Sequence, residues 1–281
     1  MRTAREAIEV DGIRVNITRA PGKPLILLTR MASADMGIWN TIWDDFARYF
    51  TVANFDLAQL PAARDLDDPG RSFRQLAKLT ADVASGLGFE RFHVFGWNGG
   101  TLIALACAMD HADRVASCLL LDPFYELADM RHVNKAVQFK RALFENPNRE
   151  LYAYYWVMAG LTSAFIENNF DMVERLVAAR LEKDRFVKVD VERFEKWVRA
   201  LRTNWFDDAD YARITAPMLI AATELDRWNA GPSVAMAREV HKRITGSELT
   251  VIENAGGHFL LEDPGRFMAV VEPFLKRVTT T

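Results

Sequence analysis

The chain predicts an α/β fold: a mostly parallel sheet flanked by helices, with a helical segment inserted after the sixth strand. Three observations predict it. Short, wholly apolar runs recur along the chain and are separated by stretches of helical period, the pattern of strands covered on both faces. One of these runs, Arg91-Phe92-His93-Val94-Phe95, leads into the glycine-flanked turn Gly96-Trp97-Asn98-Gly99-Gly100 and then into the helix-like Leu102-Ile103-Ala104-Leu105-Ala106. Between Phe124 and about Phe206 the alternation stops, and a helical, aromatic-rich segment without any strand-like run takes its place.

The elements follow in order. Ile8–Val10 and Ile13–Ile17 alternate around Asp11-Gly12, which reads as a hairpin with a two-residue turn. Leu25-Ile26-Leu27-Leu28, after Pro24, is a strand buried on both faces. Ile38, Trp39, Ile42, Trp43, Phe46 and Phe50 recur at helical spacing, and Thr51–Phe55 returns as a strand. An amphipathic helix over Phe73–Leu87, closed by Gly88, leads to the strand before the glycine-flanked turn. After the helix that follows this turn, Val115–Leu121 is a second fully apolar strand, ending at Asp122-Pro123. Alternation resumes with the strand Pro217–Ala222, a helix over Pro232–Ile244, the strand Leu249–Ile252 and a last helix from Pro264 to about Val278.

The expected organisation is a core formed by residues 1–123 and 207–281, with 124–206 as a helical cap over the carboxyl edge of the sheet, where open α/β folds bind ligands.

Composition narrows the function classes. A chain of 281 residues, half of them hydrophobic, can bury a large core. A formal charge of −3 gives no electrostatic case for nucleic acid or an anionic membrane. No apolar run reaches the length of a membrane span, and Met1–Glu6 lacks the apolar centre of a signal peptide, so the expected location is cytoplasmic. Cys107 and Cys118 read as reduced, buried thiols, and the five histidines show no metal-type clustering. No metal or other cofactor is expected, the expected partner is a small molecule, and the sequence does not set the oligomeric state.

Strand, Gly-x-nucleophile-x-Gly and helix together form a nucleophile elbow, in which the glycines permit a sharp turn and a close approach of strand to helix. With the opening hairpin, the inserted helices and two late motifs, nearly the whole chain resembles the α/β-hydrolase superfamily, in a form that carries a lid. The late motifs are Leu219–Asp226, similar to the strand end that delivers the family's acid, and Asn254-Ala255-Gly256-Gly257-His258-Phe259, similar to its histidine loop. The resemblance implies a catalytic set of Asn98, Asp226 and His258, in the family's chain order. Asp122, which also ends a strand, ranks second as the acid, and Glu224 lies two residues from Asp226.

Two positions depart from the family pattern. The elbow tip, Asn98, is an amide: a hydrogen-bonding group rather than an ordinary nucleophile. Where members show His-Gly after the third strand, this chain has Thr29-Arg30-Met31. Backbone N–H groups of Met31 and Gly99 are the candidate oxyanion donors. Arg30, Trp97 and Trp156 are candidate substrate contacts, Arg30 for an anionic group and the tryptophans for an apolar body. The neighbouring aromatics Tyr152, Tyr154, Tyr155, Phe165, Phe170, Trp197 and Trp205 divide between lid packing and pocket lining in a way that spacing does not resolve.

The expected function is hydrolysis of an ester-type bond in a small, largely apolar organic substrate, with a His258–Asp226 base and a replaced elbow nucleophile. A non-covalent, lyase-like reaction driven by the same base and a catalytically silent binder stay open beside it. A lost serine would point to ester chemistry and a lost aspartate to carbon–halogen or epoxide chemistry.

Overall fold

The chain was analysed as a computed structural model. It describes residues 4–30, 37–55, 69–126, 138–184 other than 140, 144 and 147, 203, 205–226 and 233–280. Among the described residues eight strands form one sheet: β1 (Glu6–Val10), β2 (Ile13–Thr18), β3 (Leu25–Arg30), β4 (Thr51–Phe55), β5 (Phe92–Trp97), β6 (Val115–Leu121), β7 (Met218–Thr223) and β8 (Glu248–Ile252). Their order is β1-β2-β4-β3-β5-β6-β7-β8. Pairing is antiparallel for β1–β2 and β2–β4 and parallel everywhere else. At the β1–β2 turn both Asp11 (φ 47°) and Gly12 (φ 77°) are left-handed, which matches the right-handed twist of a two-residue hairpin.

The apolar runs are buried on both faces, as their composition demands. Leu25, Leu27, Phe92, Val94, Cys118, Leu120, Met218 and Ile220 face one core. Their alternate neighbours Ile26, Leu28, Phe95, Trp97, Leu119, Leu121, Leu219 and Ala221 face the other. The first core is closed by α1 (Pro69–Gly86) and α2 (Gly100–Asp110). Apolar residues line α2 on every side, and all those from Gly100 to Met109 are buried.

Between β6 and β7 in chain order lie α3 (Arg149–Met158), α4 (Ser163–Asn168) and α5 (Phe170–Asp184). Ala153, Val157, Leu161, Val173 and Val177 give these helices a small apolar cluster of their own. Asn148 caps α3 by accepting from the Glu150 N–H, and Thr162 caps α4 by accepting from Phe165. The core then resumes with α6 (Ser233–Arg243) and α7 (Pro264–Thr279), the latter capped by Asp263 with Pro264 in its first turn.

One expected helix is broken. The stretch from Ile38 to Phe50 forms a 3₁₀ turn at Ile38–Thr41 and a single α turn at Trp43–Phe46. Ile42, with φ −122° and ψ −3°, interrupts the helical path between them. Helical spacing identified the buried side chains, since Ile38, Trp39, Ile42, Trp43, Phe46 and Phe50 are all in the core. It did not distinguish one helix from two turns, because both place the same residues inward. Met31 and Trp197 lie outside the described residues.

Candidate active site

β5 ends in the turn its glycines anticipate. A Cβ on Gly100 would lie 2.0 Å from the Thr29 carbonyl oxygen, and one on Gly96 would lie 2.7 Å from the Gly100 oxygen. Any larger residue there would push α2 off the sheet. Thr29 ties the packing down by donating its hydroxyl to the carbonyls of Phe95 and Gly100, each at 3.1 Å. Asn98 sits at the tip with φ 53°, in the left-handed region that asparagine tolerates better than most residues. Its N–H donates to Leu121 at 2.9 Å, and its carbonyl accepts from the N–H and hydroxyl of Thr101. The side chain has no such anchorage: among the described residues, the buried Oδ1 of Asn98 makes no hydrogen bond, nor does the buried Nε1 of Trp97.

β6 runs beside β5 and ends in the same way. Leu121 is level with Trp97 in the register, so Asp122 follows beside Asn98. Asp122 is also left-handed (φ 52°), and its N–H donates to Ala221 at 2.9 Å. Its carboxylate is 1 % exposed and well held. Oδ1 accepts from the Thr223 N–H (2.7 Å), the Thr223 hydroxyl (3.0 Å) and the Ser233 hydroxyl (2.6 Å). Burial first, then the nearby charge of Asp226, pushes its pKa up, and the three hydrogen bonds only partly offset that.

Asp226 is buried at the end of β7, one strand further along. The turn that carries it is strapped to the histidine loop, with Glu224 N–H donating to Ile252 (3.1 Å) and Leu225 N–H to Ala255 (2.9 Å). Glu224 is exposed and accepts the Asn254 N–H at 2.9 Å, which gives it a role in the turn.

His258 is 2 % exposed and starts the short helical turn Phe259–Glu262. Its ring meets Trp97 edge-on, with centroids 6.2 Å apart, and lies against the Cα of Gly160. Burial, reinforced by the Arg30 charge, lowers its pKa to about 3, so the imidazole is neutral. The Arg30 guanidinium stacks 4.1 Å over Trp97. Arg30, Trp97 and His258 therefore form one layer beside the elbow. Trp156 lies within the inserted helices, buried between Tyr152 and the Arg180 guanidinium, which is 4.6 Å over its ring. Among the described residues no group of three or more His, Cys, Asp and Glu side chains could hold a metal ion. No helix among them is long and apolar enough to cross a membrane.

Sequence reasoning missed Thr223 and Ser233, which hold Asp122, and Gly160 and Thr162, which meet the histidine loop. Each pair is about a hundred residues apart, and neither carries a local motif.

A kinked β5 tip, a matching β6 tip and a late histidine loop at one sheet edge are the arrangement of a hydrolase core. A model of the alpha/beta hydrolase family matches residues 32–270, and the chain belongs to that family. A fluoroacetate dehalogenase from Burkholderia sp is 28 % identical over 123 residues, covering 42 % of this chain and 40 % of the dehalogenase, so the match spans less than half of that relative. Among solved structures, the enol-lactonase from Burkholderia xenovorans LB400 superposes with a TM-score of 0.72 at 18 % identity, covering 96 % of this chain and all of its own. A serine hydrolase from the polyaromatic-hydrocarbon-degrading Cycloclasticus zankles gives 0.73 at 16 % identity, over 97 % and 98 % of the two chains. At these identities the superpositions speak for the fold.

Proposed function

We propose that this protein hydrolyses an ester-type bond in a small, largely apolar organic substrate, using His258 as general base and no covalent enzyme intermediate. The observation that carries the reading is the Oδ1 of Asn98, buried at the tip of a left-handed elbow with no hydrogen bond among the described residues. Buried polar atoms in native proteins are almost always paired, so one left open beside an elbow is a seat for something brought in.

In this reading Asn98 Oδ1 accepts a hydrogen bond from the attacking water, which occupies the place of a serine hydroxyl. His258, neutral, takes that water's proton as its oxygen bonds to the acyl carbon. The tetrahedral oxyanion is met by backbone N–H groups, for which Gly99 and Met31 are the candidates. The C–O bond then breaks, and the imidazolium returns the proton to the departing alcohol. Residues 124–206 act as the cap, with Trp156 among its packing aromatics. Arg30, stacked beside His258, suits an anionic group on the substrate or the acid product. Asp226, buried at the same edge, is the first choice to support the imidazolium, with Asp122 second. The protein works in the cytoplasm.

A second reading is favoured by the dehalogenase relative: carbon–halogen cleavage in an ancestor that carried a carboxylate at position 98. One experiment separates them. Aryl and acyl esters and haloacetates are offered to the parent protein, Asn98→Ser, Asn98→Asp and His258→Ala. Ester turnover by the parent, lost in His258→Ala, supports the water mechanism. Halide release gained only by Asn98→Asp supports the second reading. An inert set that binds the same compounds and melts higher with them marks a binder.

A further inference from the structure

The histidine loop does not stand alone. Residues 256–262 are seated on the turn between α3 and α4. The His258 backbone N–H donates to the Gly160 carbonyl at 2.6 Å. The imidazole lies against the Cα of Gly160: a Cβ there would be 2.4 Å from Nδ1 and 2.5 Å from Cγ and Cε1. A Cβ on Gly256 would in turn meet the Gly160 oxygen at 2.7 Å. Four residues after His258, Glu262 closes the contact, its two oxygens accepting the N–H and the hydroxyl of Thr162, each at 2.7 Å. Thr162 is also the cap of α4, so the same residue ends one segment and begins the next.

We propose that the α3–α4 turn, through Gly160 and Thr162 and anchored by Glu262, is a positioning latch that sets the orientation of the His258 ring. The proposal rests on the reading of His258 as a base and deepens it. A neutral imidazole has one N–H and one lone pair, and the partner of the N–H decides which nitrogen is free to accept a proton. Here the backbone of Gly160 fixes how the ring lies, a task that a carboxylate performs in the serine triad. The inserted helices thus reach the chemistry through the histidine as well as through the substrate. Among the described residues, the charged group facing the ring is Arg30 at the end of β3.

Gly160→Ala puts a methyl group where the ring now lies, and Thr162→Ala removes one of the two bonds to Glu262 while Thr162→Ser keeps both. The test compares these with the parent in two ways: kcat and KM on the ester found above, and titration of the His258 ring followed by NMR of 15N-labelled protein, which needs no substrate. Expected for Gly160→Ala is a fall in kcat of roughly 10- to 100-fold with KM changed less than about threefold, since small misplacements of a reacting group are costly. Its His258 ring signals and their titration depart from the parent's as the ring is pushed off its seat. Thr162→Ala shifts both readouts in the same direction by less, and Thr162→Ser restores them. Folded Gly160→Ala and Thr162→Ala proteins whose His258 titration matches the parent's would overturn the latch; if Gly160→Ala does not fold, Thr162→Ala alone decides. If the titration moves but activity does not depend on His258 at all, the latch stands and the base reading fails.

Discussion

Two neighbouring strands, β5 and β6, end in the same backbone geometry and differ in what their last side chains do. Asn98 and Asp122 are both left-handed, at φ 53° and 52°, and each donates its N–H to the last carbonyl region of the next strand at 2.9 Å. Asp122 then spends its carboxylate on three protein donors, whereas the Oδ1 of Asn98 has none. Both positions carry the backbone cost of a non-glycine residue in this region, on the order of 1 kcal/mol and less for Asn and Asp than for other side chains. At β6 the surrounding hydrogen bonds return that cost to stability. At β5 only the backbone of Asn98 is bonded, to Leu121 and Thr101, and its side chain contributes no bond through Oδ1 among the described residues. The kink is thus common to both strands, and what separates them is whether the side chain on it is already engaged, which is the feature the proposed role of Asn98 uses.

Removing the proposed base is the strongest way to break this contrast. His258→Ala should lower kcat by about 10²- to 10⁴-fold, the usual worth of a positioned acid–base group, with the melting transition still cooperative. Steady-state rates on the responsive ester, with thermal melts on the same samples, check it.

Truncating the satisfied partner comes next. Asp122→Ala strands the Thr223 N–H and two hydroxyls in the interior, at a cost of about 3 kcal/mol, read as a drop in denaturant midpoint. Asp122→Asn keeps an acceptor and removes the repulsion from Asp226, so it should cost less than about 1 kcal/mol. It should also alter the response to pH. A carboxyl raised to about 8 in the fold stabilises the protein fully at low pH and loses that contribution as pH rises from about 4 to about 8. Melts across that range should flatten in Asp122→Asn.

The histidines act in the opposite sense. His93, pushed down to about 4 by burial, and His258, at about 3, are neutral in the fold, so their contribution is present above pH 6.5 and fades below it. Each should add a slope of about 1.4 kcal/mol per pH unit to acid destabilisation, and a melt series from pH 7 to pH 5 should be shallower in a folded His93→Gln variant.

The smallest effect sharpens the comparison most. Asn98→Ala removes a side chain with no described hydrogen bond to its Oδ1, so stability should change by less than about 1 kcal/mol while turnover falls. Equal losses of stability at Asn98 and Asp122 would erase the distinction between them.

The sheet and its two helical layers were legible because apolar runs and glycine spacing are local signals. Gly96 and Gly100 announced the elbow in the sequence, and the packing distances supply the reason. The hairpin at Asp11-Gly12 was readable for the same kind of cause. The broken helix between Ile38 and Phe50 was not, since one helix and two turns bury the same residues. Nor was the saturation of Asp122, which depends on Thr223 and Ser233 a hundred residues away. The contact of Glu262 with Thr162 is equally remote in sequence. Hydrogen-bond satisfaction is a property of the assembled fold, and a linear pattern carries no trace of it.

The account stands on Asn98 holding a water for His258 instead of forming a bond itself. Rapid-quench turnover of an activated aryl ester, followed by intact-protein mass at each time point, tests this directly. The account predicts linear product release from the first turnover and an unmodified protein mass throughout. A burst equal to the enzyme concentration, with an acyl adduct mapping to the peptide around Asn98, would contradict it.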